Sequence, residues 1–180
     1  GVYEFGSVFK TFTVAAGFNE NLIEPNTEYL NLKKQIECNG FKIKEYSDKM
    51  PTNLTVEEIL IRSGNIGSVR IGQKIGQEKF KSFLKTIGVL DKINFDIQEV
   101  GKPLPINWGK CKLATASYGH GITTTLLQIA KGYSIVTNGG YDIKPTIIQK
   151  KIAEEHSRRR IVNNGVSNKI NKILRKIVTN

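Results

Sequence analysis

Apolar residues recur at the spacing of a buried helix near the start of the chain. Residues 7–18 carry Phe9, Phe12 and Val14 and contain no helix-breaking residue before Gly17. Side chains three or four positions apart share one face of a helix, so this segment is predicted to be a core helix. The same periodicity predicts helices over residues 66–75, 77–86, 123–136 and 168–178.

A further helix is predicted to begin after Thr55. This threonine precedes Glu58 by three positions, which is the spacing of a capping box, and three apolar residues follow before a predicted end near residues 63–64. The other patterns predict loops with short strands over residues 19–51, an irregular connection over 102–109, a strand over 141–152 and a basic linker over 157–164. The pattern indicates a helix-rich α+β fold.

The composition is that of a folded chain. Its 180 residues are 39% hydrophobic, enough for one domain or for part of a larger one. No apolar run reaches the length of about 18 residues that a membrane span needs, and the N-terminus lacks the charged-then-apolar order of a signal peptide. Because the chain starts without Met, a few residues before Ser7, it is predicted to be a fragment.

The net charge of +11 and the pI near 9.7 would suit a partner such as nucleic acid or anionic lipid. The cations are scattered, however, and aromatic residues do not alternate with them as a stacking platform requires. No nucleic-acid partner is therefore predicted. His156 with Arg158, Arg159 and Arg160 is predicted to be a solvated basic loop, with contact to anionic lipid or cell-wall polymer as the alternative.

Cys38 and Cys111 are isolated from each other in the sequence and show no Cys/His spacing typical of a metal site. We expect both to be unpaired, and we expect neither a metal nor a cofactor.

A serine and a lysine stand three residues apart at Ser7 and Lys10. On a helix, side chains at this spacing lie on one face, where the amine can activate the hydroxyl as a nucleophile. Two weaker signals follow in the chain. Ser63-Gly64-Asn65 follows a predicted helix end, where a loop can present both polar side chains to a cleft, although helix capping is the alternative. Residues 114–121 lead into the helix predicted from residue 123.

These segments together resemble the class B penicillin-binding proteins, which are peptidoglycan D,D-transpeptidases, and among them the septal FtsI type. The family's Tyr-Glu-Pro-Gly-Ser-Thr-Phe-Lys segment is similar to Tyr3 to Lys10, apart from Phe5 and Val8. The Ser-x-Asn element corresponds to residues 63–65. The Ser-Phe-Gly-x-Gly segment corresponds to residues 117–121, with Leu126 where proline is usual. With an Asn-Gly-Gly at 138–140 and a Lys-Pro at 144–145, the resemblance extends over residues 3–178.

The resemblance implies a role for each matched residue. Ser7 would be the nucleophile and one oxyanion donor through its backbone N–H, and Lys10 would be the general base. Ser63 would relay a proton to the leaving amine, and Asn65 would hold Lys10 and the substrate backbone. The cleft wall and substrate contacts would come from Ser117, Tyr118, Gly119 and Gly121. His120 has no apparent carboxylate partner and is not expected to act as a base.

One family element does not occur in the sequence. The third motif, Lys-Thr-Gly on a core strand, is absent, so residues 1–180 are predicted to be a fragment of a transpeptidase domain, truncated at both ends. The expected fold is the helix-rich part of the β-lactamase-like transpeptidase domain. We expect this chain alone to acylate very poorly or not at all and to leave apolar surface uncovered.

The resemblance also implies the substrate and the setting. The parent protein would cross-link D-Ala-D-Ala stem peptides, bind β-lactams, associate with division proteins and be anchored in the inner membrane with this domain outside the cytoplasm. Three alternatives stay open: a D,D-carboxypeptidase, a β-lactamase-like hydrolase, and a non-catalytic binding module of the same fold. A class A β-lactamase would also need a deacylating glutamate, and no glutamate here has a suitable context.

Overall fold

The computed structural model describes residues 1–149 and 159–179. Helices dominate these residues, and the first α-helix continues directly from a 3-10 helix, Gly6–Phe9. The α-helices are α1 (Lys10–Asn19), α2 (Val56–Ile61), α3 (Asn65–Ile75), α4 (Gln77–Thr86), α5 (Lys112–Ala116), α6 (Leu126–Thr137) and α7 (Asn164–Thr179).

The strands are short and form three separate antiparallel pairs. β1 (Tyr3–Glu4) pairs with β6 (Thr123–Thr124), β2 (Glu28–Tyr29) with β5 (Leu54–Thr55), and β3 (Gln35–Cys38) with β4 (Phe41–Lys44). The first pair brings residues 117–125 beside the start of the chain. Together with the helices, these pairs confirm the predicted helix-rich α+β fold.

Helix α1 lies at the centre of the core. Every residue from position 10 to 18 is buried, and α3, α4, α6 and α7 all pack against it. The Phe12 ring meets Phe9 edge-on, with ring centroids 5.3 Å apart, and meets Tyr133 of α6 at 5.1 Å. A helix whose residues are buried on every side is surrounded by other elements, and the predicted core helix is confirmed.

The other predicted helices are confirmed, with shifts at two starts. The capping box forms as predicted: Thr55 Oγ1 accepts from the Glu58 N–H, and Glu58 Oε2 accepts from the Thr55 N–H. Helix α6 begins only at Leu126, since Thr124 pairs with Tyr3 and its hydroxyl donates to the Val89 carbonyl at 2.8 Å. Helix α7 begins earlier than predicted, because a polar first turn precedes the apolar face that the periodicity detected.

The predicted strand over residues 141–152 is wrong for its described part. Between 141 and 149 only Tyr141 pairs, in an isolated bridge with Arg160. The Asp96 carboxylate accepts hydrogen bonds from the Thr146 hydroxyl and, at 2.8 Å, from the Ile147 N–H. The Ile147 N–H therefore bonds to a side chain and not to a neighbouring strand. A strand needs a partner of matching length, and alternation alone does not provide one. Residues 150–152, His156 and Arg158 lie outside the described residues.

Cys38 and Cys111 form a disulfide, which corrects the expectation that both are unpaired. Their Cα atoms are 5.8 Å apart, although 73 positions separate them in sequence. The bond ties the end of β3 to the residue before α5. Sequence spacing could not indicate this pairing, because the fold alone brings the β3–β4 hairpin to α5.

Replacing both Cys38 and Cys111 by serine is expected to lower the free energy of unfolding by about 2–4 kcal/mol. The disulfide closes a loop of 73 positions, and an open chain gains the corresponding entropy when it unfolds. Urea unfolding of the oxidised protein and of the double variant measures the difference. Equal midpoints and slopes for the two proteins would contradict the prediction.

In the residues that the structure describes, no helix combines the length and the apolar character needed to cross a membrane.

Candidate active site

Ser7 and Lys10 lie where the 3-10 helix passes into α1. Gly6 precedes them with φ of +54°, a conformation that favours glycine and turns the chain from β1 into the helix. Ser7 is exposed, whereas Lys10 is 1% exposed. The Lys10 Nζ lies 3.0 Å from the Ser7 Oγ, so a buried amine touches an accessible hydroxyl.

Ser63 meets the same amine from the loop between α2 and α3. Lys10 Nζ donates to the Ser63 carbonyl at 2.6 Å and to the Ser63 Oγ at 2.9 Å. Ser63 has a φ of +56°, which is uncommon for a residue with a side chain. With Ser7, these contacts use all three hydrogens of a charged lysine. The structure therefore brings Ser7, Lys10 and Ser63 together from positions far apart in the chain.

The Lys10 amine has an altered acidity. Burial lowers its pKa from 10.5 to about 8, and the nearby charge of Glu45 acts in the opposite direction. An amine with this pKa is neutral in about a tenth of the molecules at pH 7, compared with well under a hundredth for a lysine of ordinary pKa. In that form its lone pair can accept the proton of Ser7.

Asn65 does not make the predicted bond to Lys10. Its side-chain amide donates to the Lys44 carbonyl at 2.8 Å, at the end of β4. The turn at Ser63 directs the Ser63 carbonyl toward Lys10, and this carbonyl accepts a hydrogen bond from the Lys10 amine where Asn65 was predicted to do so. Asn65 is half-buried at the first position of α3, so in this structure it joins α3 to the β3–β4 hairpin.

Residues 117–121 pack against the Ser7 turn. Gly119 has φ of +87°, and a Cβ there would lie 1.9 Å from the Gly6 carbonyl oxygen, so only glycine fits. Ser117 is fully buried, and its hydroxyl donates to the Leu113 carbonyl at 2.6 Å. Its side chain therefore points into the protein and not toward a cleft, which corrects its predicted role in substrate contact.

Tyr118 and Gly121, in contrast, line an open cavity of about 510 Å³ beside the disulfide. The Gly121 carbonyl accepts from Lys112 Nζ at 2.9 Å, and the ring of Tyr118 stacks on His120. The lining does not include Ser7 or Lys10.

His120 has a carboxylate partner, contrary to the sequence expectation. Its Nδ1 lies 3.2 Å from Glu4 Oε2, and both side chains are largely accessible. The antiparallel register of β1 and β6 places Glu4 opposite Thr123 and so close to His120. This proximity depends on strand pairing over more than a hundred residues and has no local signal in the sequence.

Tyr133 is a second residue that the sequence did not indicate. From α6, its hydroxyl lies 2.7 Å from the carbonyl of Val8, the residue after Ser7, and 2.9 Å from Thr11 Oγ1. Burial raises the pKa of Tyr133, so it remains a neutral donor. It fixes the backbone next to Ser7. In the described residues, no group of three or more His, Cys, Asp or Glu side chains could hold a metal ion.

A comparison with models of known protein families finds a match over the whole chain. The model of the penicillin-binding protein transpeptidase domain matches residues 1–180. A probable peptidoglycan D,D-transpeptidase FtsI of Caulobacter vibrioides is 28% identical over 177 residues, covering 97% of this chain and 29% of that protein. Penicillin-binding protein PbpB of Mycolicibacterium smegmatis is 29% identical over 156 residues, covering 85% and 24%. The chain thus spans under a third of the length of these curated relatives.

Solved structures show the same fold. The transpeptidase domain of Burkholderia pseudomallei penicillin-binding protein 3 superposes with a TM-score of 0.90 at 24% identity, covering 99% of this chain and 54% of that one. Penicillin-binding protein 3 of Mycobacterium tuberculosis, complexed with aztreonam, gives 0.86 at 24% identity, covering 99% and 42%. The fold is therefore that of the helix-rich part of a transpeptidase domain, as the sequence predicted. The chain belongs to the penicillin-binding protein transpeptidase domain family.

Proposed function

We propose that this chain carries the nucleophile and the base of a serine D,D-transpeptidase that cross-links peptidoglycan stem peptides. One observation supports the proposal most strongly: the buried amine of Lys10 contacts the hydroxyls of both Ser7 and Ser63. A nucleophile, a base and a proton carrier are the groups that acyl transfer requires. The family membership of the chain supports the same reaction class.

The reaction begins with attack by Ser7. Its Oγ bonds to the carbonyl carbon of the penultimate D-Ala while its proton passes to neutral Lys10. The peptide C–N bond then breaks, and the proton reaches the leaving amine of the terminal D-Ala through Ser63. The backbone N–H of Ser7, in the first turn of the helix, donates to the oxyanion. An amine of a second stem peptide attacks the carbonyl carbon of the acyl-serine and gives a proton to Lys10. The bond to Ser7 Oγ then breaks, Lys10 returns the proton to that oxygen, and the cross-link is complete.

The proposed substrate is therefore a peptide ending in D-Ala-D-Ala, and a β-lactam would acylate Ser7 as its mimic. Tyr118 and Gly121 are the proposed substrate contacts of the cleft wall, while Gly119 holds that wall against the Ser7 turn. Asn65 is proposed to reach the substrate backbone. We further propose that the parent protein is membrane-anchored, acts outside the cytoplasm and works with division proteins, which is what the resemblance to the FtsI type implies.

Product analysis tests the proposed reaction. Lys-Thr-Gly does not occur in these 180 residues, so the assay uses the product of the full open reading frame that encodes them. A D-Ala-D-Ala donor peptide is incubated with and without a D-amino acid acceptor, and the products are resolved by mass spectrometry. Transfer to the acceptor supports a transpeptidase. Release of D-Ala by hydrolysis alone would indicate a carboxypeptidase, and no turnover by folded protein would indicate a non-catalytic module.

The acylation rate is expected to rise with pH and to level off above about pH 8. The base must be neutral, and the Lys10 pKa is lowered to about 8. Below this value each pH unit raises the neutral fraction, and hence the rate, about tenfold. Stopped-flow measurement of acylation by a chromogenic β-lactam between pH 5.5 and 9.5 gives the profile. A rate that still rose about tenfold per pH unit between pH 8.5 and 9.5 would show a lysine of ordinary pKa and contradict the assignment.

A further inference from the structure

Glu45 directly follows β4 and meets the N-terminus of α3. Its Oε2 accepts from the Asn65 N–H at 2.7 Å, and its Oε1 accepts from the Ile66 N–H at 2.8 Å. Both carboxylate oxygens therefore bind consecutive backbone amides of one helix end. This contact has no local signal in the sequence, because the two partners are 20 and 21 positions away.

The first amides of a helix have no acceptor within the helix and need one from elsewhere. A side chain at the N-cap position usually supplies it, but the N-cap of α3 is Gly64, which has none. Glu45 supplies it from another element. A carboxylate is also the group that the positive end of a helix dipole favours.

The helix end that Glu45 binds also carries Ser63. Ser63 lies just two positions before Asn65, and its uncommon backbone conformation turns both its carbonyl and its hydroxyl toward Lys10. A second bond, from the Asn65 side chain to the Lys44 carbonyl, joins the same two elements. The Glu45 N–H in turn donates to the Lys34 carbonyl at 3.1 Å, which ties the carboxylate to the hairpin.

We propose that Glu45 is a positioning residue of the site, whose carboxylate holds the Ser63 loop against Lys10. The inference rests on the proposed function, because it assigns a role in the acylation step. In the described residues the Glu45 carboxylate bonds to the amides of Asn65 and Ile66 and not to Ser7. Glu45 has two effects: its hydrogen bonds hold Ser63 in position, and its negative charge raises the pKa of Lys10.

The charge gives Glu45 an effect that a purely structural contact would lack. Burial lowers the pKa of Lys10, and the negative charge of Glu45 opposes this. The other groups that contact the amine, the hydroxyls of Ser7 and Ser63 and the Ser63 carbonyl, are neutral. The side chain of Lys44, next to Glu45, is exposed. Removing the negative charge therefore moves the titration of Lys10 to lower pH.

The variant Glu45→Gln tests both effects, because it keeps the shape, loses the charge and replaces one of the two acceptor oxygens by an NH2 group that can only donate. In the product of the full open reading frame, the acylation profile with a chromogenic β-lactam is expected to move to lower pH. The limiting rate at alkaline pH is expected to fall about tenfold to a hundredfold, which is the cost of a misplaced catalytic group. Glu45→Ala is expected to lower the limiting rate further.

Glu37→Gln is the matched control. Glu37 lies on the other strand of the same hairpin, opposite Lys42, and its side chain is exposed. We expect this variant to keep the wild-type profile and rate. A Glu45→Gln variant whose midpoint and limiting rate equal those of the wild type would overturn the proposal. So would a loss of rate with an unchanged midpoint, because that is the result expected of a purely structural contact.

Two measurements need no acylation and so separate this inference from the proposed function. Hydrogen exchange reports the amides of Asn65 and Ile66, which are expected to exchange faster in Glu45→Ala than in the wild type. NMR titration of ¹³C-labelled lysine, with Lys10 assigned from a Lys10→Arg variant, reports the midpoint of Lys10. If the wild type does not react with β-lactams, the proposed function fails. Unchanged exchange and an unchanged Lys10 midpoint in the Glu45 variants would overturn the role of Glu45 itself.

Discussion

Replacing Ser7 by alanine is expected to abolish covalent labelling by a fluorescent penicillin. The Ser7 hydroxyl is the accessible group in contact with the buried amine of Lys10, and no other atom of the side chain can form the acyl bond. Loss of a nucleophile commonly lowers turnover by on the order of 10⁴-fold or more, so labelling of the full open reading frame product should fall below detection.

The matched control for this variant is Ser82→Ala. Ser82 is an exposed serine on α4, and the Lys10 amine bonds to Ser7 and Ser63 instead. Both variants are expected to melt within a few degrees of the wild type, because an exposed hydroxyl contributes little to stability. Labelling that persists in Ser7→Ala but disappears in a different serine variant would show that Ser7 is not the acyl acceptor.

Replacing Lys10 by methionine is expected to lower the acylation rate by about 10³- to 10⁴-fold. Methionine fills a similar volume, but it can neither accept the Ser7 proton nor pass it to Ser63, and general base catalysis contributes up to about this factor. The Ser63 carbonyl and hydroxyl also lose their donor, so the loop itself is expected to be less well held. Stopped-flow acylation at pH 9, where the wild-type base is mostly neutral, gives the ratio.

Lys92→Met is the control for the methionine substitution, since Lys92 is exposed. It should retain the wild-type rate. A Lys10→Met variant that acylates within tenfold of the wild type and keeps its cooperative melt would contradict the role of Lys10 as the base. The residual rate should also lose the rise toward pH 8, because the group that titrates there is gone.

The sequence predicted those parts of the fold that depend on neighbouring residues. The core helix α1, the capping box of Thr55 and Glu58, and helices α3 and α4 follow from local periodicity and local hydrogen bonds. The same approach failed over residues 141–149, since alternation predicts a strand only when a partner strand lies beside it. It also failed for Cys38 and Cys111, whose pairing depends on how the β3–β4 hairpin meets α5.

In the candidate site, too, the sequence indicates residues that are neighbours on one helix and misses those that the tertiary fold brings in. Ser7 and Lys10 were indicated by their spacing, because three residues on a helix fix which side chains meet. Ser63 was indicated weakly by its place after a predicted helix end and more strongly by the family resemblance. Glu45 and Tyr133 carried no signal, since each reaches the site across the fold from an unrelated segment. Asn65 bonds to the Lys44 carbonyl and not, as predicted, to Lys10, and its contact with the substrate stays a prediction.

The most direct test of the central claim is to locate the covalent adduct. The product of the full open reading frame is treated with penicillin, digested and analysed by tandem mass spectrometry. We predict that the mass of the intact penicillin is added to the peptide that contains Ser7, with fragment ions that assign it to that residue. An adduct on any other residue, or no adduct on a protein that melts cooperatively, would contradict the assignment of Ser7 as a nucleophile activated by Lys10.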